Sequence, residues 1–387
     1  MKFRPEIGES LTLKFAEAAA VRRKAGLPIY SLGLGEPDFS TPPALIDSVT
    51  EVLQEGNSTY SAALGVPQLR ERIAEKFQKD NGVIVSTGNI LVAAGAKQAL
   101  SIVLMALLEP GDEVVVLSPA FVSFIPQIYL AEPDTVVKVV RVDPTTHELP
   151  MDELSSAVTA RTRAIILNTP NNPAGFVCSP AELASLMALA EQYNCTIIAD
   201  EVYEKLVFPG AKHNSIGALE AKPDRVCTIN GFSKSHALTG WRIGYVTLPD
   251  TLVSRVIKIQ QHMNTNTCTF VQQALARSWD LECPHIDPYL QQLVARVKLI
   301  ESWLGKNTAV TARLPKAGFF TFVNISGLGV SSNTFCAELL EKTGVATTPG
   351  IAFGQDWDDH FRLSYAVEQS VLEDALERIS NHLNTYL

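Results

Sequence analysis

The chain has 387 residues, 46% of them hydrophobic and 19% charged, with a formal net charge of −9. That balance excludes a disordered chain, and the acidic surplus argues against a nucleic-acid surface, so any bound anion must be held by local groups. The length predicts two to three domain-sized units and a core large enough to need no disulfides.

Residues 1–26 carry Lys2, Arg4, Glu6, Glu9, Lys14 and Glu17 but no apolar run of the kind a secretory leader needs. Leu11 to Ala25 has helical spacing and a basic end, Arg22-Arg23-Lys24, as a helix C-terminus prefers. Pro28 then opens an extended stretch through Gly35, and Pro67 to Asp80 reads as a charged amphipathic helix. From about residue 90, short apolar runs alternate with helices. Ile90–Ala94 leads into Gly95-Ala96-Lys97 and a helix, and Glu113–Leu117 ends at Ser118-Pro119. Arg163–Leu167 ends at Asn168, Cys195–Ala199 at Asp200, and Arg225–Ile229 at Asn230. Continuous apolar strands between helices predict an α/β fold whose mostly parallel sheet is covered on both faces. Such sheets bind ligands beyond the carboxyl ends of their strands. The longest apolar run, Ala99 to Leu108, reads as a buried helix and not as a membrane span.

Beyond about Pro284 the pattern changes. A long helix is expected from Pro288 to Lys306, then strands at Thr311–Leu314, Phe319–Val323 and Phe361–Ser364, with helices at 332–343 and 370–383. This predicts a large domain over residues 36–285 and a smaller α+β domain from residues 1–35 and 286–387. The six cysteines, Cys178, Cys195, Cys227, Cys268, Cys283 and Cys336, form no Cys-x-x-Cys pair and fit no zinc spacing. They read as small buried hydrophobes in a reducing cytoplasm, with no metal expected.

The chemistry concentrates between Gly231 and Gly244, Gly-Phe-Ser-Lys-Ser-His-Ala-Leu-Thr-Gly-Trp-Arg-Ile-Gly. The amine of Lys234 can bond an aldehyde, while Ser233 and Arg242 can hold a phosphate. Pyridoxal 5′-phosphate carries both groups. Asp200 closes an apolar strand, where a carboxylate is costly unless paired. It can either face a pyridine nitrogen or cap a helix opening at Glu201. Tyr203, three residues on, can reach a phenolate oxygen or sit in the core. Asn171-Asn172-Pro173-Ala174-Gly175 is a turn by composition, and the Asn172 amide can also contact a ligand. Gly95, Ala96 and Lys97 stand where a helix N-terminus could receive a phosphate. Arg362 has the chemistry to grip a carboxylate, although a lone arginine is more often a surface ion-pair partner.

These motifs stand in an order that resembles the class I/II pyridoxal-phosphate-dependent aminotransferases of fold type I, and among them the bacterial aspartate aminotransferase group. The resemblance spans Gly35-Glu-Pro-Asp-Phe39, Tyr60 before Gly65-Val-Pro-Gln-Leu-Arg70, and Gly95-Ala-Lys-Gln-Ala99. It continues through Asn171–Gly175, Asp200-Glu-Val-Tyr203, the Lys234 motif, Pro349–Gly354 and Phe361-Arg-Leu-Ser-Tyr365. It implies that Lys234 bonds the cofactor and moves the substrate proton, and that Asp200 pairs with the ring nitrogen. It implies that Tyr203 and Asn172 hold the phenolate oxygen, and that Ser233, Arg242 and the amides of Ala96 and Lys97 form the phosphate cup. Phe121 falls where the family stacks an aromatic ring, usually tryptophan or tyrosine. Arg362 would take the substrate α-carboxylate, helped by Asn172 and the Gly35 backbone. Tyr60 would reach the phosphate in a neighbouring subunit, which implies a homodimer with shared sites. The implied reaction is ping-pong exchange of an amino group between an L-amino acid and a 2-oxo acid. Lys97, with Ser10 or Thr12, can favour an acidic substrate. A lyase or another amino-acid-modifying reaction on the same fold is the alternative.

Overall fold

The computed structural model describes residues 7–56, 58–221 and 224–386. Residues 1–6, part of the charged N-terminal stretch and of the expected small domain, lie outside the described residues. In chain order the strands are β1 (Tyr30–Ser31), β2 (Ile90–Ala93), β3 (Glu113–Ser118), β4 (Val136–Arg141), β5 (Thr162–Asn168) and β6 (Thr196–Asp200). They continue as β7 (Val226–Gly231), β8 (Gly244–Thr247), β9 (Phe320–Asn324), β10 (Val345–Ala346), β11 (Thr348–Pro349) and β12 (His360–Ser364).

Seven strands form one sheet in the order β2-β8-β7-β6-β5-β3-β4. β3 through β7 run parallel, and β8 lies antiparallel between β7 and β2. Alternate side chains of each central strand enter different cores, as the two-residue period of a strand requires. Val115, Ile165, Leu167 and Ile197 pack with the helix Pro180–Tyr193 on one face. Val114, Val116, Ile166, Ile198 and Ile229 pack with the helices Ala96–Leu107 and Asp250–Met263 on the other. The continuous apolar runs in the sequence follow from this two-sided burial.

A separate core joins the chain's two ends. Phe15 and Leu32 pack with Leu293, Phe335, Phe361 and Leu376. β1 pairs with β10, and β9, β11 and β12 form a three-stranded antiparallel sheet. The helix Ile286–Lys306 runs along this core. No helix among the described residues is long and apolar enough to cross a membrane.

Several local expectations are corrected. Thr311–Leu314 is not a strand, and only Thr311 bridges to Asn324. The amides of Lys316 and Ala317 both donate to the Gly175 carbonyl, which draws the segment away from β9 before a ladder can extend. The helix from Pro67 ends at Lys76 and continues as a wider π-type turn over Phe77–Asn81, closed by Gly82 in the left-handed region (φ 69). β4 and β8 went unanticipated. β4 is an edge strand with Val136 and Val139 exposed, so its pattern lacks the two-sided burial of its neighbours.

Candidate active site

The pocket lies where the parallel strands end. Asn168 and Asp200 are register partners on adjacent strands and both line it. Gly231, Ser233 and Lys234 leave the end of β7, and Ala96 and Lys97 open the helix that follows β2. Phe121 and Phe124 follow β3, Asn172 follows β5, and Arg362 enters from β12. Gly35, Glu36 and Thr12 close the pocket from the N-terminal segment.

The Lys234 motif is a loop whose two ends touch. Gly231 and Gly244 are directly paired across β7 and β8, so everything from Phe232 to Ile243 projects as one excursion beyond the sheet. The pairing needs small residues. A Cβ on Gly244 would lie 2.5 Å from the Ala96 amide nitrogen, so that glycine lets β8 pass against the mouth of the helix. Arg242 adopts the left-handed backbone (φ 53), an uncommon conformation for a side-chain-bearing residue that often marks a functional position. Its guanidinium reaches back to donate to the Thr239 and Ala94 carbonyls at 2.9 and 3.4 Å. Gly95, at φ +83, leaves the space that guanidinium occupies, because a Cβ there would lie 2.6 Å from Nη2. Gly95 therefore acts by making room. Arg242, the first free amides of the Ala96 helix and Ser233 face one end of the pocket, a combination suited to an anion.

Lys234 Nζ donates to the Gly35 carbonyl at 2.5 Å. Burial lowers its pKa to about 8, with Glu36 opposing and Arg362 assisting. A neutral amine is thus accessible near neutral pH. Asp200 is no helix cap, since the chain after it makes turns. Its carboxylate accepts one weak backbone bond, from Val202 at 3.3 Å, and burial lifts its pKa to about 6. Tyr203 is buried on the same side, and burial pushes its phenol well up. Phe121 lies beneath the Lys97 ammonium, 5.5 Å from its ring centroid.

Arg362 is not a surface residue. It is 3% exposed and donates to Asn172 Oδ1 at 3.0 Å and to the Gly33 carbonyl at 2.7 Å. Burial lowers its pKa to about 10, and its Nε has no hydrogen-bond partner among the described residues. Its backbone partner is the Gly33 carbonyl, while Gly35, which also lines the pocket, engages Lys234 through its own carbonyl. Tyr60 is 84% exposed and stands outside this pocket.

Sequence reasoning missed Asn168, whose side chain donates to the Asp200 carbonyl at 3.0 Å and accepts from the Asn172 amide at 2.8 Å. It closes an apolar strand just as Asp200 does, so the same signal marks it. Leu13, Leu34 and Leu100 were also missed, because apolar lining looks like core in a sequence.

The Asp200 shift carries a stability signature. Its folded pKa stands above the ordinary 3.8, so the native state holds a proton that the unfolded chain has released. Stability from this group therefore falls as pH rises from about 4 to about 6 and stays low above that window. In protein free of small molecules, Asp200→Asn is expected to melt at a higher temperature than wild type at pH 8. The gap should shrink as pH drops toward 4. Differential scanning calorimetry across that range checks it, and a lower melting temperature for the variant at pH 8 contradicts it.

Residues 28–379 match the family model for aminotransferase class I and II. The chain is 37% identical to an aspartate aminotransferase of Thermotoga maritima, over 98% of both chains. It is 36% identical to aromatic-amino-acid aminotransferase 2 of Thermococcus litoralis, over 92% of each. The solved aspartate aminotransferase of Thermus thermophilus with maleate superposes with a TM-score of 0.92 at 32% identity, covering 99% of this chain and all of that one. The chain belongs to the class I and II aminotransferases.

Proposed function

We propose that the pocket binds pyridoxal 5′-phosphate and exchanges an amino group between an L-amino acid and a 2-oxo acid, with an acidic amino acid among its substrates. The carrying observation is Asp200, a half-buried carboxylate lining the pocket with one long backbone bond and no ion-pair partner among the described residues. It fits a ligand that brings a ring N–H. Arg242 and the helix mouth fit a phosphate at one end, and the orphaned Nε of Arg362 fits a carboxylate at the other.

When bound, the cofactor supplies an aldehyde that bonds amines and a ring that draws electrons from the substrate Cα. The chain's own residues do the rest. Asp200 keeps the ring nitrogen protonated, and the same charge pairing would draw its pKa back down. Tyr203 and Asn172 would hold the ring oxygen, while Ser233, Arg242 and the backbone amides of Ala96 and Lys97 would hold the phosphate, with Gly95 giving Arg242 its place. Phe121, which lines the pocket, would offer its ring for stacking. Arg362, steadied by Asn172 and Gly33, fixes the α-carboxylate and so orients the Cα–H bond. The low pKa of Lys234 suits an amine that takes the Cα proton and returns it one position away on the cofactor. Gly35 holds that amine in place through its carbonyl. Relatives named for aminotransfer favour this reading over a lyase.

Two homologous names, aspartate and aromatic, frame the substrate question. Lys97 supports the acidic choice. It is an exposed cation at the pocket, with a pKa lowered by partial desolvation and by Arg242, and Thr12 also lines the pocket, its hydroxyl 2.8 Å from that of Ser10. The reading also includes a homodimer in which Tyr60 completes the neighbour's phosphate site. It places the protein in the cytoplasm, consistent with six free cysteines. It assigns cofactor binding to residues 36–285 and domain closure to 1–35 with 286–387.

Lys234→Ala is expected to take up the cofactor without a covalent bond and to lose turnover by roughly 10⁴-fold or more. Steady-state kinetics and borohydride trapping check this, and turnover at the wild-type rate defeats the assignment. Lys97→Ala should lower kcat/KM for aspartate and glutamate by about 10–100-fold, the scale of a lost charged hydrogen bond. Phenylalanine should change by less than about threefold. An equal loss for all three amino acids defeats the acidic-substrate reading.

A further inference from the structure

The six residues from Asp200 to Lys205 have two faces. Asp200, Val202 and Tyr203 look into the pocket. Glu201, Glu204 and Lys205 look the other way, Glu201 tied to residues 213–216 and the other two to residues 76–81. Glu201, fully buried, accepts from the Ser215 hydroxyl at 3.0 Å and the Ile216 amide at 3.3 Å, and lies 3.1 Å from His213 Nε2. Glu204 pairs with Lys76 and accepts from the Asn81 amide at 2.6 Å. Lys205 pairs with Asp80 at 2.8 Å.

Lys76 is central to this seam. It is 1% exposed, and its ammonium also donates to Asn81 Oδ1 at 2.6 Å. That contact spans five residues, the spacing of the π-type turn Phe77–Asn81, and such widened turns recur at functional positions. The widening brings Lys76, Asp80 and Asn81 together against the 201–205 segment. The ligand atoms of Glu201, Glu204 and His213 lie within 4.8 Å of one another, and the Lys76 ammonium pairs with Glu204 among them. Burial would raise the Glu204 pKa, but Lys76, His213 and Asn81 outweigh it and keep the carboxylate ionised.

A buried ion pair contributes little net stability, because desolvation offsets attraction, but it specifies geometry. We propose that Lys76, Glu204, Glu201, His213 and the Asp80–Lys205 pair are positioning residues, an ionic seam on the back of the 200–205 segment that sets where Asp200 and Tyr203 stand in the pocket. The inference rests on the proposed cofactor reading. The seam touches neither cofactor nor substrate and acts through the short backbone stretch that carries both.

The test uses cofactor-loaded protein and two readouts, the pH midpoint at which the bound cofactor changes colour and the split between kcat and KM. A donor at the ring oxygen withdraws electron density and lowers the proton affinity of the conjugated nitrogen, so a displaced Tyr203 moves the midpoint up. In Lys76→Met/Glu204→Gln, a neutral pair of similar size, the midpoint should rise by roughly half a unit or more. Its kcat should fall by about tenfold or more. KM for aspartate should stay within about threefold, since Arg362 stands on a different element. Asp80→Asn, in a less buried pair, should shift both readouts in the same directions by less. The control is Glu113→Gln, which removes a buried carboxylate paired with the more exposed Lys138 and Arg161 (both 2.6 Å) at the start of β3, the end of the sheet away from the pocket. It should lower the melting temperature and leave midpoint and kcat unmoved. The inference is overturned if the seam variants keep the wild-type midpoint and kcat, or if Glu113→Gln moves them equally. A wild-type protein that takes up no pyridoxal phosphate overturns the functional reading and this inference with it.

Discussion

Burying Lys234, Arg362 and Asp200 around one pocket, with Arg242 at its rim, removes charge from water without pairing it fully. Such groups shift their pKa values instead. Asp200 rises while Lys234 and Arg362 fall, each chiefly through burial. Clustered shifts of this kind mark functional sites more often than structural ones. The unpaired charges define by complement what should enter, with an anion at the Arg242 end, a proton donor over Asp200 and a second anion at Arg362. Their arrangement constrains the ligand more tightly than any single motif.

The fold serves this arrangement by returning the chain. β7 leaves the sheet, makes the excursion that carries Lys234 and Arg242, and comes back as the antiparallel β8 against the same strand. Closing the loop at Gly231 and Gly244 holds amine and guanidinium at fixed separation. Gly95 and Gly244 let β8, the helix mouth and Arg242 crowd into one place where side chains would collide. The second core then brings β12 and Arg362 over the open side, and Asn172 links it to the strand ends through a 3.0 Å hydrogen bond.

Much of this was legible in the sequence because strand ends advertise themselves. Asp200, Asn172 and Lys234 each follow an apolar run, and a polar residue there is conspicuous. Arg362 was legible only through the family resemblance, because nothing local distinguishes a buried arginine from an exposed one. The reversal at β8 was hidden, since a four-residue strand of Gly-Tyr-Val-Thr carries no direction. The link between Lys76 and Glu204 was hidden as well. Their side chains meet only because a π-type turn widens one helix and the 200–205 segment turns its acidic face outward. The expected strand at Thr311–Leu314 failed for a similar reason, as a distant carbonyl at Gly175 claims the backbone donors of Lys316 and Ala317 just beyond it.

The central claim is that these charges serve amino-group exchange. The direct measurement mixes protein loaded with pyridoxal phosphate with L-aspartate and no oxo acid, and counts the products. The account predicts a single equivalent of oxaloacetate per site, then a halt, with turnover restored when 2-oxoglutarate is added. Continued release of pyruvate and ammonia without an acceptor, or no product from any common amino acid, would contradict it.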